Sequence, residues 1–134
     1  MEPRMIKILV CEDEVHIQRL VRLVLEKQGY EVAIANNGDE CLKLLGEGLA
    51  PDLVLLDILM PGIDGLQVLR TIKSNPTLKN LNVVLLTALA QENVVLQGIK
   101  LGARDYIRKP FSPKDLVQRI QKHLPLPESL RKSS

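Results

Sequence analysis

Short apolar segments alternate with longer segments of helical periodicity along the chain, and this alternation occurs five times. The apolar segments predict strands at residues 6–11, 32–35, 53–57, 83–87 and 105–108. Most of them are continuously apolar, which is typical of parallel strands that are covered by helices on both faces. The pattern therefore predicts an α/β fold built from five βα units.

The segments between the strands carry apolar residues at the spacing of one helix face. The first helix is predicted from about residue 14 to residue 28. Its apolar stripe is Ile17, Leu20, Val21, Val24 and Leu25, and the later stripes are Cys41, Leu44 and Leu45; Leu66, Leu69 and Ile72; Leu96 and Ile99; and Leu116, Val117 and Ile120. Gly29, Gly46 and Gly102 mark helix ends. Ser112, Pro113 and Asp115 mark the start of the last helix.

Length and composition indicate one globular domain. The chain has 134 residues, 46% of them hydrophobic, and a formal net charge of +2. The periodic pattern predicts a domain over residues 5–124, followed by a tail or truncated linker at residues 125–134, where proline and serine recur without periodicity. No apolar stretch approaches the length of about 20 residues that crosses a bilayer, and the amino terminus lacks a signal-peptide pattern. We therefore expect a cytoplasmic protein without membrane contact.

The counts of cysteine, histidine and aromatic residues argue against other sites. Cys11 and Cys41 are too few for a disulfide framework or a zinc site, and we expect both to be buried as small hydrophobic residues. His16 and His123 are expected on solvated helix faces. With no Trp, two Tyr and one Phe, the chain lacks stacking platforms for nucleic acid, so we expect no direct binding of DNA or RNA by this domain.

Polar residues follow four of the five predicted strands. Strand one ends in Glu12 and Asp13, strand three in Asp57, strand four in Thr87 and strand five in Lys109. Strand two ends without distinctive chemistry, as expected of an edge strand in the order 2-1-3-4-5, the flavodoxin-like arrangement of a three-layer sandwich. Ligands of such sheets bind beyond the carboxyl ends of the strands. The five side chains are therefore predicted to line one crevice.

Three carboxylates in one crevice repel each other, and a divalent cation would relieve this repulsion. Mg²⁺ prefers oxygen ligands and binds through one or two carboxylates together with phosphate oxygens. One carboxylate can then act as a nucleophile toward a phosphoryl group and form an aspartyl phosphate. Lys109 and the hydroxyl of Thr87 are available to meet the charge that develops on the phosphoryl oxygens.

Four segments resemble the receiver domain of two-component response regulators: VCEDE at 10–14, PDLVLLDILMPGIDG at 51–65, VVLLTA at 83–88 and GARDYIRKPF at 102–111. Their order and spacing match that family, and the resemblance covers about residues 5–124. It implies that Asp57 accepts a phosphoryl group from a phosphohistidine of a sensor histidine kinase or phosphotransfer protein. It also implies a phosphoprotein switch that catalyses its own phosphorylation and dephosphorylation, and not an enzyme that acts on a separate substrate.

The same resemblance assigns roles to individual residues. Asp13 and Asp57 would ligate Mg²⁺ directly, Glu12 would hold it largely through water, and the backbone carbonyl of Leu59 would be a further ligand. Thr87 and Tyr106 would form a switch pair that acts on the face of helix four, strand five and helix five, where a downstream protein or a second copy would bind. Lys109 would be the catalytic lysine, and the bond from Lys109 to Pro110 would be cis.

Some positions depart from the family pattern or bear on the switching face. Glu12 stands where aspartate is frequent, and its charge is expected to preserve metal binding. Leu59 and Leu89 flank the path of the hydrolytic water in the family and cannot orient it, so we expect a long-lived phosphoryl group. Val94 and Val95 cannot both face the core together with Leu96 and Ile99, so one of them is expected to be exposed. Charged residues on this face could pair in a dimer or remain solvated; they are Arg104, Asp105, Lys114 and Arg119.

Two other functions are compatible with the predicted fold. A phosphatase that forms an aspartyl phosphate on small substrates usually has a second acid two residues after its nucleophile, a position that Leu59 occupies here. A flavin-binding module would need a phosphate loop rich in Ser, Thr and Gly after strand one, where this chain has the acidic sequence CEDE.

Overall fold

Each of the five apolar segments forms a strand of one parallel sheet in the computed structural model, which describes residues 5–88 and 92–124. The strands are β1 (Lys7–Cys11), β2 (Glu31–Ala35), β3 (Leu53–Asp57), β4 (Asn82–Ala88) and β5 (Asp105–Lys109). The helices are α1 (Val15–Lys27), α2 (Gly38–Gly46), α3 (Gly65–Ser74), α4 (Glu92–Leu101) and α5 (Pro113–Gln121). Predicted strand limits agree with these to within one residue. The predicted tail at residues 125–134 lies outside the described residues.

The strands lie in the order β2-β1-β3-β4-β5, which confirms the flavodoxin-like arrangement. Because successive side chains of a strand point to opposite faces, the apolar strands supply two cores. One core packs against α1 and α5 and includes Val10, Leu55 and Leu86. The other packs against α2, α3 and α4 and includes Leu9, Leu56 and Leu85. The result is the predicted three-layer sandwich.

Local polar contacts set the helix starts that face the carboxyl edge of the sheet. Ser112 and Asp115 form the predicted capping box of α5, with Pro113 in its first turn. Asp64 and Gln67 form a second capping box at the start of α3, which was not predicted. The side chain of Asn37 accepts a hydrogen bond from the Glu40 amide at the start of α2. These caps fix where the loops of the edge end.

The predicted inward stripe of α4 is wrong. Leu96 is 59% exposed and Ile99 is 41% exposed, whereas Val95 and Gly98 are the buried residues of this helix. Val94 is half-buried, so the expected exposed apolar residues exist but are not the valines. A Cβ atom added to Gly98 would lie 2.3 Å from Cδ1 of Leu85, which shows how closely α4 approaches β4. The helix therefore packs through its glycine.

The expectation of a solvated His123 is also wrong, although His16 is exposed as predicted. Nε2 of His123 lies 2.8 Å from Oδ2 of Asp105, and Nη1 of Arg119 lies 3.0 Å from Oδ1 of the same carboxylate. The side chain of His123 is only 16% exposed. Burial by itself raises the pKa of Asp105, but the contacts with His123, the Tyr106 amide and Arg119 outweigh it and hold this pKa below its ordinary value. Asp105 and Arg119 thus pair within one chain.

Candidate functional site

Sheet register brings the predicted site residues to one edge. Cys11 lies opposite Leu56, so Glu12, which follows β1, and Asp57, the last residue of β3, lie at the same level of neighbouring strands. On the side of β4 away from β3, Lys109 of β5 lies opposite Ala88 of β4. The resulting pocket at the carboxyl edge is lined by Glu12, Asp13, Glu14, Asp57, Leu59, Ala88 and Lys109. The structure therefore brings together the acidic residues and the lysine that were predicted to meet.

Lys109 lies between the two buried carboxylates. Its Nζ atom is 3.1 Å from Oδ2 of Asp57 and 3.2 Å from both carboxylate oxygens of Glu12. Glu12 is 1% exposed and Asp57 is 5% exposed, so these ion pairs are largely shielded from water. The peptide bond from Lys109 to Pro110 is cis, as expected from the resemblance. A charged pair in such a place is strong only if its remaining polar atoms are also bound.

The remaining oxygen of Asp57 faces the loop after β3. The backbone amide of Leu59 donates to Oδ1 of Asp57 at 3.3 Å. The side chain of Leu59 is 61% exposed and lies at the mouth of the pocket. Asp13 is exposed on the other side of the same pocket. Asp57 is thus held from two directions while its carboxylate stays in contact with the pocket.

The electrostatics of the site favour additional positive charge. Burial, together with the neighbouring carboxylate of Asp57, raises the pKa of Glu12 to about 8, although Lys109 acts in the opposite direction. Burial acts to lower the pKa of Lys109, but the charges of Asp57 and Glu12 outweigh it and raise that pKa above its ordinary value. One lysine therefore does not balance the acidic groups.

The donor set fits a hard divalent cation. Glu12, Asp13 and Asp57 each offer a carboxylate oxygen, and these three oxygens lie within 4.8 Å of one another. Such all-oxygen sites suit Mg²⁺, which needs few protein ligands because it keeps several waters. The two cysteines belong to the core instead: Cys11 and Cys41 are buried free thiols, as predicted. Contact with the Cys41 thiol, together with burial, raises the pKa of Cys11, so this thiol stays protonated.

The two proposed switch residues share one face of the sheet. Tyr106 lies opposite Leu85, and Thr87 is two residues beyond Leu85 on the same strand. Thr87 is 1% exposed, and its hydroxyl donates to the Ala88 carbonyl at 3.2 Å. Tyr106 is half-buried. Two guanidinium groups lie over its ring, with that of Arg108 at 6.0 Å and that of Arg119 at 5.7 Å from the ring centroid. Both guanidinium groups are therefore close enough for a cation–π contact with the tyrosine ring.

Gly65, the first residue of α3, lies close to the backbone of Asp57. Its amide donates to the Ile58 carbonyl at 2.9 Å. A Cβ atom at this position would lie 2.4 Å from the Asp57 carbonyl oxygen and 2.7 Å from Cα of Ile58. Since no side chain fits there, the first residue of α3 can lie directly against the backbone of Asp57.

The sequence did not indicate roles for Gly65, Gln18 or Arg108, and it indicated only possible pairing in a dimer for Arg119, the second arginine beside Tyr106. Gly65 is the last residue of the segment 51–65 that resembles the receiver family, but nothing in that sequence indicates that it contacts the backbone of Asp57. Gln18 lies on a polar side of α1 and reaches the loop after β1, where its amide donates to the Glu12 carbonyl. Leu89 lies outside the described residues, so only Leu59 of the two expected hydrophobic positions has a place in the structure.

A parallel sheet whose carboxyl edge gathers three carboxylates and a lysine defines the class of this protein as an α/β domain with an acidic pocket at that edge. Residues 8–121 match the response regulator receiver domain family, and the chain belongs to that family. It is a receiver domain of the response regulators of two-component systems. The phosphatase and flavin-binding alternatives are not supported.

Individual relatives agree with this assignment. The transcriptional regulatory protein ResD of Bacillus subtilis strain 168 is 44% identical over 117 residues, which cover 86% of this chain and 46% of ResD. The phosphate regulon transcriptional regulatory protein PhoB of Escherichia coli K12 is 43% identical over 115 residues, which cover 86% of this chain and 50% of PhoB. The chain therefore spans about half the length of these curated relatives.

The fold is similar to that of a solved structure, which is matched over its whole length. The chemotaxis protein CheY4 of Vibrio cholerae superimposes with a TM-score of 0.84 at 27% sequence identity, covering 90% of this chain and 100% of that chain. Within residues 5–88 and 92–124, none of the helices has the length and apolar character of a membrane span.

Proposed function

We propose that this domain accepts a phosphoryl group on Asp57 from a phosphohistidine of a sensor histidine kinase or phosphotransfer protein. The observation that carries the proposal is the position of the Asp57 carboxylate. It is nearly buried, 3.1 Å from the Lys109 ammonium, and within reach of two further carboxylates. A structural aspartate would not need this combination of a cation and acidic neighbours.

In the transfer step, a carboxylate oxygen of Asp57 forms a bond to phosphorus while the bond between phosphorus and the donor imidazole nitrogen breaks. The imidazole leaves with the electron pair of that bond and takes up a proton. The transition state carries its charge on the equatorial phosphoryl oxygens. Lys109 supplies an ammonium and Thr87 a hydroxyl for these oxygens, so both residues act as electrostatic catalysts.

Glu12, Asp13 and Asp57 would hold Mg²⁺, with the backbone carbonyl of Leu59 as a further ligand. Asp13 and Asp57 would bind directly and Glu12 largely through water. When bound, the ion supplies the positive charge that offsets the carboxylates and the incoming phosphoryl oxygens. Lys109, whose Nζ atom lies 3.1 Å from Oδ2 of Asp57, is placed to contact a phosphoryl group on that carboxylate.

Signalling in this proposal is a shift of population between two arrangements of one face. The hydroxyl of Thr87 turns toward the phosphoryl group, and Tyr106 moves into the space that is vacated. This repacks the surface formed by α4, β5 and α5, where a downstream protein or a second copy of the chain would bind. The exposed side chains of Leu96 and Ile99 on α4 supply apolar area for such a partner.

The lifetime of the phosphoryl group is expected to be long. Leu59 is 61% exposed at the pocket mouth, where its aliphatic side chain cannot hydrogen-bond an attacking water. Leu89 is proposed to have the same effect. A polar residue at either position would orient the water and accelerate hydrolysis.

The proposal is tested by incubating the protein with Mg²⁺ and a small phosphoryl donor and measuring the intact mass. We expect a gain of one phosphoryl group by the wild type and by Asp39→Asn, a variant at an exposed aspartate of α2. Asp57→Asn should show no gain. Phosphorylation of Asp57→Asn to the wild-type extent would place the acceptor elsewhere and refute the proposal.

A further inference from the structure

A chain of polar side chains runs from the proposed metal site to the surface of α2. The side-chain amide of Gln18 donates to the Glu12 carbonyl at 2.5 Å and to Oδ1 of Asn36 at 2.9 Å. The amide of Asn36 donates in turn to the carboxylate of Glu40, at 3.2 and 3.3 Å. The three side chains come from α1, from the end of β2 and from α2, so they join the elements around β1.

The carboxylate of Glu40 fixes the direction of all these hydrogen bonds. A carboxylate only accepts, so Asn36 must present its NH₂ group to Glu40. Its carbonyl oxygen is then left facing Gln18, which must present its own NH₂ group to Asn36. The same NH₂ group has a second hydrogen, and this one reaches the Glu12 carbonyl. Each link therefore orients the next toward the site.

Glu12 is consequently held through both of its backbone polar groups. Its amide donates to the Ala35 carbonyl at 3.1 Å, and its carbonyl accepts from Gln18. Ala35 directly precedes Asn36. The amide contact of Glu12 and the contact through Gln18 therefore both connect Glu12 to the end of β2. The hydrogen bond from Gln18 to the Glu12 carbonyl thus holds the orientation of the peptide bond between Glu12 and Asp13.

We propose that Gln18 is a positioning residue for the divalent cation: by fixing the carbonyl of Glu12 it sets the direction of the Glu12 and Asp13 carboxylates. The inference rests on the proposed function, in which these carboxylates hold Mg²⁺. Gln18 itself does not touch the ion. Partners that orient metal ligands typically affect metal affinity by about 10- to 100-fold.

The test compares Mg²⁺ dissociation constants, measured by calorimetry on the whole chain, with urea midpoints of the same variants. Gln18→Ala removes both hydrogen bonds. Gln97→Ala, at an exposed glutamine of α4, makes the same change of helix propensity away from the site. We expect the dissociation constant to rise about 10-fold or more for Gln18→Ala and to stay at the wild-type value for Gln97→Ala.

Gln18→Glu separates positioning from charge. Its carboxylate keeps the length of glutamine but cannot donate, so it faces the Glu12 carbonyl and Asn36 with acceptors only. Its added negative charge would by itself favour a cation. Weaker Mg²⁺ binding by Gln18→Glu would therefore be strong support. Asn36→Ala, which removes only the outer link, should weaken binding in the same direction by a smaller factor.

The outcomes distinguish the inference from the function beneath it. A wild type and Gln97→Ala that bind Mg²⁺, with Gln18→Ala binding equally well, would overturn the inference and leave the proposed function standing. A loss of affinity that only parallels a loss of urea stability across the variants would show a structural role and also overturn it. If the wild type itself bound no Mg²⁺, the proposed function would fail first.

Discussion

The contact between Gly65 and the backbone of Asp57 makes the sharpest prediction. Gly65→Ala would place a methyl group 2.4 Å from the Asp57 carbonyl oxygen, where an ordinary contact begins at 3.4 Å, so one of the two segments must move by about 1 Å. Neither segment moves easily. The Gly65 amide is bound to the Ile58 carbonyl, and the capping box of Asp64 and Gln67 fixes the start of α3.

The magnitude follows from the size of that displacement. Overpacking of this kind destabilises a protein by about 1–3 kcal/mol. With a urea dependence of about 1–3 kcal/mol/M for a domain of this size, the urea midpoint should fall by about 1 M. A shift of about 1 Å at a reacting group can lower a rate by about 100-fold, so the rate of phosphorylation of Asp57 should fall by up to about that factor.

The assay combines urea unfolding with the rate of phosphorylation by a small donor at saturating Mg²⁺. Gly46→Ala is the matched control, because no atom lies within 4 Å of its added Cβ and it sits in a helix, where alanine is preferred by up to about 1 kcal/mol. We expect Gly46→Ala to equal or exceed the wild type in stability and to match its rate. A Gly65→Ala protein with wild-type stability and rate would refute the reasoning.

Three further predictions concern single side chains. Lys109→Met removes the cation between Glu12 and Asp57 and should lower the rate of phosphorylation about 100-fold or more by intact-mass kinetics, while Lys114→Met, at an exposed lysine, should not. Asp105→Asn should lower the free energy of unfolding at pH 7, because the pKa of Asp105 is lower in the folded protein than its ordinary value of about 3.9. The stability that this carboxylate contributes is complete above the ordinary pKa and is lost as the pH falls through the pKa of the folded state. The difference in urea stability between the variant and the wild type should therefore shrink below about pH 4, and a constant difference would contradict this assignment. Leu59→Asn should shorten the half-life of the phosphorylated protein, followed by loss of the added mass, and an unchanged half-life would exclude Leu59 from control of hydrolysis.

The meeting of the acidic residues and the lysine was predictable because it depends on sheet topology. Glu12, Asp57 and Lys109 each directly follow or end a strand, and parallel strands place those positions at one edge. The strand order was predicted from two features: the strands are continuously apolar, and strand two ends without distinctive chemistry, as an edge strand would. The structure confirms that order. Such information is local in the sequence and needs no knowledge of individual contacts.

Contacts that depend on three-dimensional reach were not predictable in the same way. Gln18 contacts Glu12 and Asn36 across two loops, and a polar residue on an exposed side of a helix gives no sign of such partners. His123 is similar, because its pairing with Asp105 requires the end of α5 to lie beside the start of β5. In both cases the residue type fits many surface positions, and only packing selects the partner.

The error in α4 has a different cause, which lies in the treatment of glycine. Periodicity was assigned from large apolar side chains, and Leu96 and Ile99 satisfy a helical spacing as well as any other pair. The buried positions are Val95 and Gly98, which have the same spacing shifted by one residue. Gly98 is buried because its missing side chain lets α4 approach Leu85, just as Gly65 lets α3 approach Asp57. A glycine inside a helical pattern should therefore be counted as a candidate inward position. With Gly98 counted in this way, the inward face of α4 is Val95 and Gly98, and Leu96 and Ile99 lie on the surface that we propose as the binding face for a partner.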